Sequence, residues 1–270
     1  MTVLWDTSGS QVVRALAEER RHAGSVASGL ALTLVVVVDE QRVAEAEAAA
    51  TRAAAQHPCR LLVVVRRRPD APEPRLDAEV LIGGRLGPGE AVVMRMWGRL
   101  ALHAESVVLP LLAPDAPVVT WWYGQPPQKI AHDPLGVFAD RRITDCAQAP
   151  DPLAALRARA EDYAPGDTDL TWTRTTAWRA LCAAAFDAAA GPARRAAVAG
   201  AASDPARDLL AAWLTHRLGL AAELRDTAGP GVTGVELTLD DIAMRLARGD
   251  GATVLLSHTG QPDRTLPLPA

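Results

Sequence analysis

The feature that most constrains this chain is residues 30–38, LALTLVVVV, an almost unbroken apolar run rich in β-branched side chains. Such a run packs well in a pleated strand and poorly in a helix. It is also far shorter than the roughly 20 residues a membrane-spanning helix needs. Because no polar residue alternates along it, both faces of the strand must be covered, which is the habit of parallel sheets flanked by helices. The neighbouring sequence agrees. Residues 41–56 are rich in Ala and Glu and read as a helix stopped by His57-Pro58, and residues 61–65 form a second apolar strand. Strand, helix and strand in that span predict a right-handed βαβ crossover.

The rest of the chain extends this pattern. Ser8 and its neighbours cap a first helix over 11–22. After the proline-broken stretch 69–74, strands over 76–82 and 91–97 form a hairpin across Gly83-Gly84 and Gly87-Pro88-Gly89. A helix over 100–112 and a strand over 117–123 follow. Asp133-Pro134, Asp151-Pro152 and Asp204-Pro205 each place a capping acid before an N1 proline and predict three helix starts. Trp178, Leu181, Cys182, Ala185 and Phe186 share one helical face. Strands are expected over 195–202 and 220–225. A meander through Val235, Leu237, Leu239, Met244, Leu246, Val254 and Leu256 turns at Gly249-Asp250-Gly251. The expected fold class is α/β, with two α/β units, each a mixed sheet flanked by helices. The second unit ends in an antiparallel meander. The expected domains are 1–150 and 165–270, joined by a helix and linker around 151–168 that includes Ala164-Pro165-Gly166-Asp167.

Composition narrows the function. A net charge of −4 offers neither the basic stripe that nucleic acid requires nor attraction to an anionic membrane. Neither partner is expected, and a polar start without a signal-like apolar segment points to the cytoplasm. Lys129 is the lone lysine among many arginines, a profile of GC-rich coding. Cys59, Cys146 and Cys182 are dispersed, so buried thiols are expected, with no zinc site, no other metal centre and no disulfide framework.

Motifs for chemistry are sparse. Gly229, Gly231 and Gly234 spell GxGxxG, but an alternating strand follows where a dinucleotide site needs a helix, so a loop between strands is the better reading. The sequence has no P-loop, no HExxH and no nucleophile elbow, and its histidines are scattered. No catalytic residue and no cofactor are expected. Arg66, Arg67 and Arg68 end a strand and form a possible anion site, because guanidinium forks suit phosphate and carboxylate.

Trp121 and Trp122 are harder to place. Adjacent strand residues face opposite ways, so one Trp belongs to the core, and the other, beside Tyr123 and the turn Gly124-Gln125-Pro126-Pro127, is a candidate interface anchor. Asp140, Arg141, Arg142 and Asp145 offer alternating charges suited to a polar rim.

The strings LPLLAPDAPVVTWW (109–122), DPLG (133–136) and ADRRITD (139–145) resemble the glucose-6-phosphate dehydrogenase assembly protein OpcA family of actinobacteria and cyanobacteria. The resemblance extends to WDTSGSQVVRAL (5–16) and DLTWTRTTAWRALCAAAFD (169–187). It implies a non-catalytic protein whose partner is glucose-6-phosphate dehydrogenase and whose binding promotes that enzyme's active assembly, supporting NADPH supply through the oxidative pentose phosphate pathway. Cyanobacterial members are linked with thiol redox control, which three dispersed cysteines do not match. The competing expectation, from Arg66 to Arg68, is a sugar-phosphate or nucleotide-binding sensor or enzyme.

Overall fold

A computed structural model of the chain describes residues 1–24, 30–83, 89–187, 191–240, 242–250 and 252–268. Gly84, Gly87 and Pro88 of the expected hairpin turn and Gly251 of the later turn lie outside those residues. The chain divides into two compact units, one of residues 1–145 with 162–168 and one of residues 146–161 with 169–270. It therefore crosses between them three times. Among the described residues, no helix is long and apolar enough to cross a membrane.

In chain order the first elements are β1 (Thr2–Leu4), α1 (Gly9–Ala23), β2 (Leu32–Val38), α2 (Val43–Gln56), β3 (Cys59–Arg66), β4 (Arg75–Ile82) and β5 (Glu90–Trp97). Then come α3 (Arg99–Leu102), α4 (Glu105–Val108), β6 (Val118–Tyr123), β7 (Arg141–Thr144), α5 (Pro152–Glu161), β8 (Asp167–Asp169), α6 (Leu170–Arg174) and α7 (Thr176–Asp187). The last are β9 (Ala193–Gly200), α8 (Pro205–Leu218), β10 (Ala222–Asp226), β11 (Val232–Leu239), β12 (Ile242–Arg248), β13 (Thr253–His258) and β14 (Gln261–Pro267).

The first sheet has the order β1-β4-β5-β3-β2-β6-β7-β8. β2 is parallel to β3 and β6, and β3 is parallel to β5, as the apolar runs require. The side chains of β2 divide between two cores. Val35 and Val37 pack with Val12 and Leu16 of α1, whereas Leu34, Val36 and Val38 pack with Ala46, Ala50 and Ala54 of α2. Successive strand residues point to opposite faces, so a run without polar alternation is what two covers demand. At the amino ends of β3 and β5, Glu90 is 1% exposed and carries two guanidiniums, Arg60 at 2.9 Å and Arg20 at 2.7 Å. Arg60 also donates to the Leu111 carbonyl, so the buried charges are paired and hydrogen-bonded.

The second sheet runs β10-β9-β11-β12-β13-β14, with only β10 and β9 parallel. Its mixed, mostly antiparallel form and helical cover match the sequence reading. One face, with Val198, Val235, Leu237, Leu239, Met244 and Leu246, packs against Trp178 and Cys182 of α7 and Leu210 and Leu214 of α8. The expected amino-terminal cap of α8 is in place, Asp204 accepting from the Ala206 amide at 2.7 Å, and Gly219, at φ 67°, closes the helix.

Two helix expectations need correction. The single helix over 100–112 is broken into α3, α4 and a 3₁₀ turn at Leu109–Leu111. His103 leaves helical geometry, and Pro110 has no N–H to continue an α-helical ladder. Asp133-Pro134 starts a turn and no helix. The Asp133 carboxylate accepts from the Leu135 amide, and Gly136 packs so close that a Cβ there would lie 1.9 Å from the Ile130 carbonyl oxygen. Gly234, the third glycine of GxGxxG, sits inside β11, where a Cβ would stand 2.9 Å from the Leu246 carbonyl oxygen.

Candidate partner-binding surface

The carboxyl ends of β5, β3, β2 and β6 lie side by side in the first unit, because these strands are parallel neighbours. Polar and aromatic residues excluded from the two cores collect there. Arg67 pairs with Glu40 at 2.7 Å and lies 5.0 Å from the Trp97 ring centre. Arg42 lies 4.6 Å above the Tyr123 ring, and Tyr123 meets Trp121 edge to face at 5.1 Å. Arg66 reaches Asp133 at 3.3 Å. The side chain of Arg68 is exposed. The Arg66 to Arg68 run is thus split, with two guanidiniums held by carboxylates of different segments.

The tryptophan pair is divided by the strand. Trp122 is 2% exposed and packs with Leu62, Val64, Ile130 and Leu135, in the core covered by α1. Trp121 packs with Tyr123 against the α2-covered core and remains half-buried. Both indole N–H groups are buried without a hydrogen-bond acceptor. Trp121, Tyr123 and the stacked Arg42 form one rim, while Trp122 stands on the opposite face of the sheet.

The charged run 140–145 is mostly structural. It contains β7, a strand within the stretch whose alternating charges suggest a rim. Arg142 is 7% exposed and is bound on all sides within the unit. Its Nε donates to Asp167 at 2.6 Å, Nη1 to the Gly136 and Ala139 carbonyls, and Nη2 to the Pro165 carbonyl at 2.6 Å. Asp140 accepts from the Val118 amide at 2.8 Å, and Asp145 is buried. Arg141 points to solvent. Of the seven residues proposed from sequence, Trp121, Tyr123, Asp140 and Arg141 keep surface for a partner. Trp97 and Arg42, which share the strand-end edge, were not singled out; aromatic and arginine residues at strand ends were the available signal.

The second unit offers a different surface. Opposite its helices, Arg225 of β10 reaches over β9, where Ala197 and Ala199 are small, to pair with Glu236 of β11. Glu223, Arg195 and Arg245 continue an alternating ladder of charge at 3.2 to 4.0 Å. The ladder borders a recess of about 270 Å³ floored by Ala197, Ala199, Gly234 and Ala247. Among the described residues, no group of three or more His, Cys, Asp or Glu is arranged to hold a metal ion. The three cysteines are buried and unlinked. Burial pushes the Cys59 thiol up to about 11 and the Cys182 thiol up to about 12.

Comparison with known proteins adds the family. No curated protein matches the chain by sequence. Among solved structures, an oxidoreductase from Sinorhizobium meliloti aligns with 87% of this chain and 77% of its own at 10% identity and a TM-score of 0.49, a likeness that carries no functional argument. Residues 50–161 match the family described as glucose-6-phosphate dehydrogenase subunit N-terminal domain, and residues 165–270 match the corresponding C-terminal domain. With both matches in order and covering most of its length, the chain belongs to the glucose-6-phosphate dehydrogenase assembly protein OpcA family.

Proposed function

We propose that this chain is a non-catalytic partner of glucose-6-phosphate dehydrogenase that favours the enzyme's active oligomeric state and so supports NADPH production. The observation that carries the reading is the match of successive parts of the chain to family domains named as subunits of that dehydrogenase. The physical requirement is modest. A protein that binds the assembled enzyme and not its separate subunits shifts the equilibrium toward assembly by mass action. If it also raises catalytic efficiency, it must bind the active conformation more tightly than the inactive one.

The contact surface we propose is the first unit's rim at Trp121, Tyr123, Asp140 and Arg141. Its Trp, Tyr and Arg content is that of residues that dominate interfaces. Arg141 is the informative residue because its side chain is exposed and makes no hydrogen bond or ion pair among the described residues. Co-elution of the chain with its cognate dehydrogenase, with and without Arg141→Glu, tests the reading. The native pair should form a complex, and the charge reversal should weaken it at least tenfold without changing the circular dichroism. Failure of the native protein to bind the dehydrogenase would remove the proposal.

A further inference from the structure

The helical cover of the second sheet thins out over its last two strands. There α7 presents Ala184 and Ala185, whose methyl groups reach only a short way toward β13 and β14. Leu266 stands directly opposite the buried Val254, and Leu256 lies two residues beyond Val254, so both face the helices. Both remain half-buried, because alanine leaves space above them. The result is a recess of about 190 Å³ between α7 and the two strands, with Leu181 completing its apolar lining. All of it lies within the second unit. An enclosed apolar cavity of about 150 Å³ is enough to hold benzene, so this recess has room for one ring. It falls short of the roughly 300 Å³ at which pockets for larger ligands begin.

Three polar side chains, His258, Gln261 and Arg264, line the same recess. Strand pairing brings them together. Arg264 stands directly opposite Leu256, which puts its stem on the helix-facing side of the sheet. Between Leu256 and His258 the register shifts by one residue, so Gln261 and not Pro262 stands opposite His258. His258 is held as part of the wall, its Nδ1 donating to the Thr259 carbonyl at 2.9 Å. Arg264 is different. Its side chain is exposed and makes no hydrogen bond or ion pair among the described residues. On the open face of this sheet, by contrast, Arg225 and Arg245 are both paired with Glu236. No acidic residue lines the recess, and Asp263 alternates to the opposite face of β14. Nothing in the wall therefore competes for Arg264 or repels an anion beside it.

We propose that this recess binds a small monocarboxylate whose apolar body is about the size of a single ring. The body rests against Leu181, Leu256 and Leu266, and the carboxylate meets the Arg264 guanidinium at the mouth, a pairing that two parallel hydrogen bonds favour. The exposed Gln261 amide lies beside it as a further donor. One free guanidinium suits a monoanion. A sugar phosphate would press its hydroxyls against leucine side chains that offer them no partner.

The test is an NMR titration of the whole chain, with labelled leucine methyl groups and without dehydrogenase, against benzoate, acetate and benzyl alcohol. Benzoate should shift the Leu181, Leu256 and Leu266 signals saturably, and bind at least tenfold more tightly than either other probe. Arg264→Gln should weaken benzoate at least tenfold and leave benzyl alcohol unchanged. Ala184→Leu, which narrows the recess, should also weaken benzoate at least tenfold, whereas Arg245→Gln on the open face should not. Ala184 and Arg264 are both exposed, so circular dichroism should stay native. Absence of saturable benzoate binding overturns the proposal. So does acetate or benzyl alcohol binding as tightly as benzoate, or benzoate binding that Arg264→Gln leaves unchanged. Because no dehydrogenase is present, a negative result leaves the assembly reading intact, and a failed complex leaves this site intact.

Discussion

The two sheets of this chain dispose of their polar residues in opposite ways. In the first, β2 and β3 are apolar on both faces, so polar chemistry is driven to the strand ends, where Arg42, Arg66, Arg67, Asp133 and Tyr123 gather. In the second, β11 and β12 alternate. Their apolar residues face α7 and α8, and Glu236 and Arg245 lie on the other face in a charge ladder. A sheet covered on both faces concentrates recognition at an edge, whereas a sheet covered on one face spreads it across a plane. The difference predicts where substitutions act on folding and where they act only on the surface.

The largest effect is expected at Trp122, deep in the first unit. Trp122→Ala should cost about 4 kcal/mol in chemical denaturation, as large core truncations do. Trp122→Phe should recover most of that, because the indole N–H it removes has no acceptor. Equal losses for the two would show that the ring's N–H matters. Next comes Arg142→Leu, which strands three carbonyls and the Asp167 carboxylate. A loss of about 3 kcal/mol is expected. A variant as stable as the native chain would return Arg142 to the list of contact residues. On the open face of the second sheet, Glu236→Gln should change stability by less than about 1 kcal/mol, because its pairs with Arg225 and Arg245 are solvent-exposed.

The smallest effect is at alkaline pH. Cys182 and Cys59 have thiols raised by burial, to about 12 and about 11. The unfolded chain ionises them at lower pH, so their contribution is complete below the ordinary thiol range and fades as pH rises toward these values. A thiol-reactive dye should leave both unlabelled at pH 8 in the native protein and label both in denaturant. Labelling of the native protein at the same rate would contradict the burial described here.

Much of the fold was legible because residues 30–38 and 61–65 admit few alternatives, and the alternation after Val235 is equally plain. The parallel pairing and the helical covers follow from those patterns. What escaped was held by polar atoms. Residues 140–145 read as a charged rim, yet Arg142 is drawn inward by acceptors at Gly136, Ala139, Pro165 and Asp167, which no periodicity reveals. Likewise Asp133-Pro134 carries the signature of a helix start, but Gly136 packed on the Ile130 carbonyl turns it into a tight loop. At the candidate site, the split between Trp121 and Trp122 follows from strand alternation. The stacking of Arg42 on Tyr123 depends on where α2 begins beside β6, a tertiary fact.

The role proposed for this chain is to hold glucose-6-phosphate dehydrogenase in its assembled form. Mass photometry of the cognate glucose-6-phosphate dehydrogenase across a dilution series, with and without the chain, tests it most directly. The chain should appear in the largest species and keep that species populated at dehydrogenase concentrations where the enzyme alone dissociates. An unchanged mass distribution, with no species containing both proteins, would contradict it.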